Sequence, residues 1–221
     1  MALAPSNQVS IDKYRSKAAD YDASAAFTMP LRLRTVALLQ LQPGQVVLDV
    51  GAGTGLSYPL LLQGVGTGGR VFAFEQSPEM FAIAQQRVQR EGWPNLWHCN
   101  EAAETVTLPA PADAVLFNYT HDICRTPEAV DNLMRQVRPG ARVAMAGIKF
   151  FPWWTGPLNL VAWLKNRPYN AKAADLWRPW SLVAAHCDDF SLRSTQWGMG
   201  YIASGIRKPL PPIVNRECTF S

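Results

Sequence analysis

A chain of 221 residues with 48% apolar and 17% charged side chains can bury one substantial core, so it reads as a single globular domain and not as a disordered segment. Its 21 Lys and Arg against 17 Asp and Glu leave a mild net charge of +4 without a basic run. The tightest basic pairs are Arg32 with Arg34 and Arg207 with Lys208, so a nucleic-acid partner is not expected.

Four scattered cysteines (Cys99, Cys124, Cys187, Cys218) and three histidines (His98, His121, His186) make no CxxC pair and no neighbouring ligand cluster. That argues against disulfides and a bound metal and for a reducing, cytoplasmic location. Residues 1–12 lack the basic start and apolar centre of a signal peptide. No apolar run approaches the roughly 18 residues of a membrane span. The nearest, Phe150 to Leu164, is broken by Pro152, Pro157 and Asn159.

Residues 1–42 are expected to form an N-terminal helical cap, with a helix from Pro30 to Leu41. Val46–Val50 follows the turn Pro43-Gly44 as a buried strand, and Val71–Glu75 follows Gly68-Gly69 as a second. Ser77 is then a helix N-cap, with Pro78 in the first turn and Glu79 at the positive end of the dipole. Met80, Ala84 and Val88 recur every four residues on one face, and Gly92 ends the helix. Leu96–Cys99 and Ala114–Phe117 read as the third and fourth strands. Thr126-Pro127-Glu128 opens another helix, with Val130, Leu133, Met134 and Val137 inward. Ala141–Ile148, after Pro139-Gly140, is the fifth strand.

This alternation predicts an α/β domain with a Rossmann-like, doubly wound, mostly parallel sheet over residues 43–150. Six of the eight tryptophans lie beyond residue 150. Residues 151–190 are therefore read as a Trp-rich helical insertion, and 191–221 as a terminal hairpin and tail. The hairpin strands are Ser191–Gln196 and Tyr201–Ile206, which bring the sheet to seven.

The chemistry concentrates at Asp49-Val50-Gly51-Ala52-Gly53-Thr54-Gly55, where a buried strand runs into a glycine-rich turn before a helix. Glycines there let main chain approach a ligand where a Cβ would collide. In sheets of this class the ligand crevice lies at the carboxyl ends of the strands. A dinucleotide turn is spaced GxGxxG/A, and the third small position would here be Leu56. The spacing seen is GxGxG, led by an acid. Asp49 suits the ammonium of an amino-acid-bearing nucleoside and would repel a pyrophosphate. Glu75, ending the second strand, suits two ribose hydroxyls under either cofactor. Together they favour S-adenosylmethionine.

In these residues the chain resembles the class I S-adenosylmethionine-dependent methyltransferases, and in detail the branch that includes the ubiquinone and menaquinone biosynthesis enzymes. The resemblance covers about residues 14–150. Tyr14 to Asp22 looks like that family's N-terminal segment, which implies that Tyr14 and Tyr21 close over the cofactor. Val47–Gly55 is similar to its first motif and implies contacts from Asp49, Gly51, Ala52, Gly53 and Gly55. Phe74–Met80 is similar to its acidic-loop motif and implies Glu75, Gln76 and Met80. Asn100-Glu101-Ala102 falls where the family places an adenine-side acid and alanine, and Asn118 closes the fourth strand at the cofactor. Asp113–Leu116 and Leu133–Gly140 match the fourth strand and the approach to the fifth.

Such a cofactor carries its own electrophile, so the protein needs to align an acceptor and exclude water. The acceptor expected is a small molecule methylated at oxygen or nitrogen. The alternatives are a lipid or quinone at a membrane surface and a module that binds the cofactor without catalysis. A base, where one is needed, is sought in Asn118-Tyr119-Thr120-His121-Asp122, with His121 taking the proton and Tyr119 orienting the acceptor. Trp153, Trp154, Trp177 and Trp180 either wall an acceptor pocket or pack a helical cap on the sheet.

Overall fold

The computed structural model describes residues 28–150, 155, 159 and 176–209. In chain order these form α1 (Met29–Leu38), β1 (Val46–Val50), α2 (Tyr58–Val65), β2 (Arg70–Phe74), α3 (Pro78–Glu91), β3 (Leu96–Cys99) and β4 (Ala112–Asn118). Next come α4 (His121–Cys124), α5 (Pro127–Arg135), β5 (Val137–Ile148), α6 (Ser181–Ala185), β6 (Cys187–Thr195) and β7 (Gly200–Arg207).

The strands make one seven-stranded sheet in the order β3-β2-β1-β4-β5-β7-β6. β1 to β5 run parallel, and β7 is antiparallel to both β5 and β6. Side chains alternate between two buried faces, as a strand requires when helices cover both sides. Val47, Val71, Ala73, Ala114, Leu116 and Ala144 pack with Leu39, Tyr58, Leu61 and Val65 on one face. Leu48, Val50, Phe72, Phe74, Val115 and Phe117 pack with Val130, Leu133 and Met134 of α5 on the other. The strand order reverses between β1 and β4, and a crevice opens there at the carboxyl edge.

The punctuation residues act as their chemistry directs. Ser77 Oγ accepts the Met80 N–H at 3.4 Å, and Gly92 closes α3 in the left-handed region at φ 66°. Several boundaries differ from expectation. α1 stops at Leu38, where Gln40 turns at φ 47°. β5 begins at Val137, because Val137 pairs with Ala112 before a register shift, so Pro139-Gly140 lies inside the strand. β6 begins at Cys187, four residues early, and carries an irregularity between Asp188 and Ser191 with Asp189 at φ 48°. The sheet therefore resumes inside the stretch assigned to the insertion. Residues His121–Cys124, expected as loop, make a single helical turn.

Candidate active site at the β1 and β4 carboxyl ends

The glycine turn is tied to β2 by the Ala52 N–H, which donates to Phe74 O at 2.9 Å. Gly53 adopts φ +61°, and a Cβ there would meet only Met80 Cε at 3.6 Å, so its bare Cα faces open space. Gly55 differs: at φ +80° a Cβ would stand 2.4 Å from the Tyr58 ring. Its glycine serves the packing of α2 against the turn, and it does not border the cleft.

Glu75 folds back over the turn. Its Oε2 accepts the Gly53 N–H at 2.9 Å and its Oε1 the Ser77 N–H at 2.8 Å. Burial pushes its carboxyl up to about 7, against the opposing pull of those two donors. Asp49 is more deeply enclosed, at 1% exposure, and among the described residues its Oδ2 has no hydrogen-bond partner. Burial raises its carboxyl to about 7 as well, with Arg32 pulling it down and Glu75 pushing it up. Unsatisfied buried oxygens are rare in folded proteins and call for a reason.

The cleft at this edge is open to solvent. Of the residues expected at the cofactor, Gly51, Gly53, Glu75, Gln76, Met80 and Asn118 border it. Tyr119 borders it too, and Thr120, Asp122 and Ile123 complete the rim. Asp49 and Ala52 are not among the residues that border it. Asn100 is committed elsewhere: its Nδ2 donates to the main-chain oxygen of Glu75 at 2.7 Å. Neither it nor Glu101 and Ala102 is among the cleft-lining residues. Tyr14, Tyr21, Trp153 and Trp154 lie outside the described residues.

The two residues expected to handle the acceptor part company. His121 is buried, and its Nε2 sits 2.9 Å from the Ile148 N–H and 3.0 Å from the Ile148 C=O. A Cβ on Gly147 would stand 2.6 Å from that same nitrogen. The helical turn of α4 thus swings the imidazole under β5, out of the cleft lining, and the ring ties α4 to the sheet. Tyr119 stays at the cleft. It takes φ 62°, donates its N–H to Ala146 O at 2.8 Å, and packs its ring by Leu31, Ala146 and Ile202. Burial raises its phenol above the ordinary value, with Gln196 and Arg32 pulling the other way.

The tryptophans also separate. Trp180 meets Tyr201 edge-on at 5.0 Å and packs against the core, as a cap residue would. Trp177 is half exposed, 5.2 Å from Phe150. Trp197, at the β6–β7 turn, is 98% exposed and held at φ 57°. Pairing of Gly200 with both Ile148 and Thr195 puts this turn at the carboxyl end of β5.

Sequence reasoning missed Arg32. It lies on α1, 5% exposed, and donates from Nη1 to Ser57 Oγ at 2.5 Å. With the Asn118 amide oriented by its surroundings, Asn118 Oδ1 accepts from Arg32 Nη1 at 2.7 Å and from Nη2 at 3.3 Å. The signal was present: Arg32, Thr35 and Leu39 fall three and four residues apart, on the buried side of the helix.

Residues 47–140 match the model of a methyltransferase domain family. The chain is 32% identical over 135 residues to the protein-L-isoaspartate O-methyltransferase of Aeropyrum pernix, covering 61% of this chain and 48% of that one. It is 29% identical over 114 residues to the arsenite methyltransferase of Halobacterium salinarum, covering 51% and 29%. The chain therefore spans half or less of the length of these curated relatives. In fold it is similar to the crystal structure of a SAM-dependent methyltransferase from Aquifex aeolicus, with a TM-score of 0.61 and 20% identity over 80% of this chain and 89% of that one.

Proposed function

We propose that this chain, whose residues 47–140 match the model of a methyltransferase domain family, is a class I S-adenosylmethionine-dependent methyltransferase that moves the sulfonium methyl of that cofactor to oxygen or nitrogen of a small-molecule acceptor. The observation that carries the reading is the pair of buried carboxyl groups at the glycine turn, one with an oxygen that has no hydrogen-bond partner among the described residues. That field suits a cationic nucleoside and opposes a diphosphate.

When bound, the cofactor supplies an electrophilic methyl group. The chain's own part is to hold and align. Glu75 keeps the turn in shape through Gly53 and Ser77 and turns its remaining lone pairs to ribose hydroxyls. Gly53 leaves room for the nucleoside, and Asn118 and Tyr119 border the reacting end from β4. Asp122 brings a further carboxylate to that rim, near enough to Glu75 to push its pKa upward. Tyr119, Phe150, Trp177 and Trp197 give the acceptor side an aromatic character that suits a flat or apolar molecule.

The relatives' acceptors, a protein isoaspartate and arsenite, belong to chains of which this one covers 48% and 29%. One observation favours a second reading, a lipid or quinone acceptor at a membrane surface: Trp197 offers its whole side chain to solvent. Among the described residues no helix is long and apolar enough to cross a membrane.

Incubation with methyl-labelled cofactor and four acceptor sets tests these readings: soluble phenols and amines, a quinol in vesicles, an isoaspartyl peptide, and arsenite. Label on a phenol or amine supports the small-molecule reading. Label only on the quinol, peptide or arsenite overturns it in favour of that acceptor. Failure to bind S-adenosylhomocysteine in calorimetry would remove the cofactor itself.

A further inference from the structure

Tyr119, Thr195 and Gln196 converge on one face of the sheet at its carboxyl edge. Tyr119 follows β4, borders the cleft, and packs against Leu31, Ala146 and Ile202. Ala146 and Ile202 are partners in the β5–β7 register, and Gly200 stands two residues before Ile202 on the same face. A Cβ on Gly200 would lie 2.4 Å from Thr195 Oγ1 and 2.8 Å from Gln196 Oε1, so the bare glycine admits both polar ends. The Gln196 amide is near enough to the Tyr119 phenol to act on its ionisation. Yet Tyr119 Oη and Thr195 Oγ1 are buried, and among the described residues neither has a hydrogen-bond partner. Packing alone does not account for two such hydroxyls at one rim, because each gives up its hydration without a replacement. The backbone is strained at the same place. Tyr119, Gln196 and Trp197 hold φ at 62°, 49° and 57°, a region that residues other than glycine seldom occupy. Trp197 gains no burial in return, at 98% exposure. Strain that packing does not offset points to a ligand.

We infer that the Tyr119 hydroxyl, the Gln196 amide and the Thr195 hydroxyl form a seat for an uncharged oxygen substituent on a flat acceptor, with the Trp197 ring laid against its face. The inference rests on the methyl-transfer reading above and deepens it by naming the acceptor class, a hydroxylated aromatic ring. Each of the three groups both donates and accepts. A hydroxyl offers one donor and two acceptor positions, so a single oxygen can meet all three. None of the three carries charge, and the Arg32 guanidinium, whose field reaches the phenol, opposes an ammonium here. Tyr119 joins the seat to the cleft and the glycine turn.

The competing explanation is a lock: the three groups would pin the β6–β7 turn against the end of β4 and act on every ring alike. Equilibrium dialysis of the full chain, loaded with S-adenosylhomocysteine, separates the two with naphthol, naphthalene and protonated naphthylmethylamine as probes. The wild-type protein should bind naphthol about 5- to 30-fold more tightly than naphthalene, the range of one or two neutral hydrogen bonds, and the ammonium no better than naphthalene. In Tyr119→Phe that preference should fall about 3- to 10-fold, with naphthalene affinity unchanged. Gln196→Met should lower it too, and the double variant by less than the product of the two, because both groups hold one oxygen. Should Tyr119→Phe fail to fold, Thr195→Val carries the same comparison. Equal weakening of naphthol and naphthalene, an unchanged preference in the variants, a wild-type preference for naphthalene or the ammonium, or no binding of naphthol overturns the proposal. Failure of the wild type to take up S-adenosylhomocysteine refutes the cofactor reading instead, and the naphthol comparison then decides the seat on the unloaded chain.

Discussion

Arg207, at the amino edge of the sheet, is as buried as Arg32 at the carboxyl edge, but its hydrogen bonds are closed within the protein. Its Nε donates to Met134 O at 3.0 Å and its Nη1 to Lys208 O at 2.9 Å. Nearby, Asp113 accepts the Val46 N–H at 2.8 Å and pairs with Arg138. At the carboxyl edge the same residue types are left unfinished: among the described residues Asp49 Oδ2 has no partner, and Arg32 leans on neutral groups. Polar groups that complete one another hold a fold together. Those that wait for a partner identify where a ligand belongs.

The contrast can be broken most forcefully at the turn. Gly53→Arg fills the open space before Met80 and should abolish S-adenosylhomocysteine binding by calorimetry, while circular dichroism still reports a folded sheet. Retained affinity would place the ligand elsewhere. Next in size is a matched pair. Arg207→Met leaves two main-chain oxygens without donors and should cost about 2–4 kcal/mol in denaturant unfolding, with ligand affinity intact. Asp49→Asn should do the reverse, lowering affinity about 10- to 100-fold at little or no cost in stability. If both variants lose stability and affinity together, the two edges are not distinct.

A smaller effect lies in pH. Burial lifts Asp49 from 3.8, and Glu75 from 4.5, to about 7. The empty folded protein therefore holds protons that the unfolded chain has released. Its stability from these groups is full below about pH 4 and declines as pH rises toward 7. Ligand binding runs the other way, because an ammonium calls for charged carboxylates. Affinity should climb across that window, and titration near pH 6 in buffers of different ionisation enthalpy should show proton release. Uptake of protons would contradict the assignment. The smallest effect is expected at the exposed turn. Trp197→Gly relieves a side chain held at φ 57° with nothing packed on it, so stability should hold or rise by up to about 1 kcal/mol. Acceptor KM should rise in the same variant, and an unchanged KM would separate Trp197 from the acceptor.

Much of this was legible in the residues. Alternation of Val47 with Leu48 and of Val71 with Phe72 marks strands buried on both faces, and Ser77 and Gly92 mark the ends of α3. The GxGxG turn and Glu75 locate the crevice. What stayed hidden depends on direction in space. Nothing in Tyr119-Thr120-His121 says that one helical turn will rotate the imidazole onto Ile148 and leave the phenol at the cleft. Nor does GxGxG reveal that its last glycine accommodates Tyr58 and not a ligand. Arg32 was overlooked because a charged residue in a helix is ordinarily read as solvated, although its spacing from Thr35 and Leu39 pointed inward.

Two main-chain contacts close the carboxyl end of β5. Phe150 N–H donates to Leu176 O at 2.9 Å and Lys149 N–H to Met199 O at 2.6 Å. Because the first contact fixes residues 150 and 176 side by side, a change in the number of residues between them alters closure entropy only logarithmically. On the proposed reading, acceptor choice can then vary between those two fixed points while the glycine turn, on the other side of β4, stays as it is.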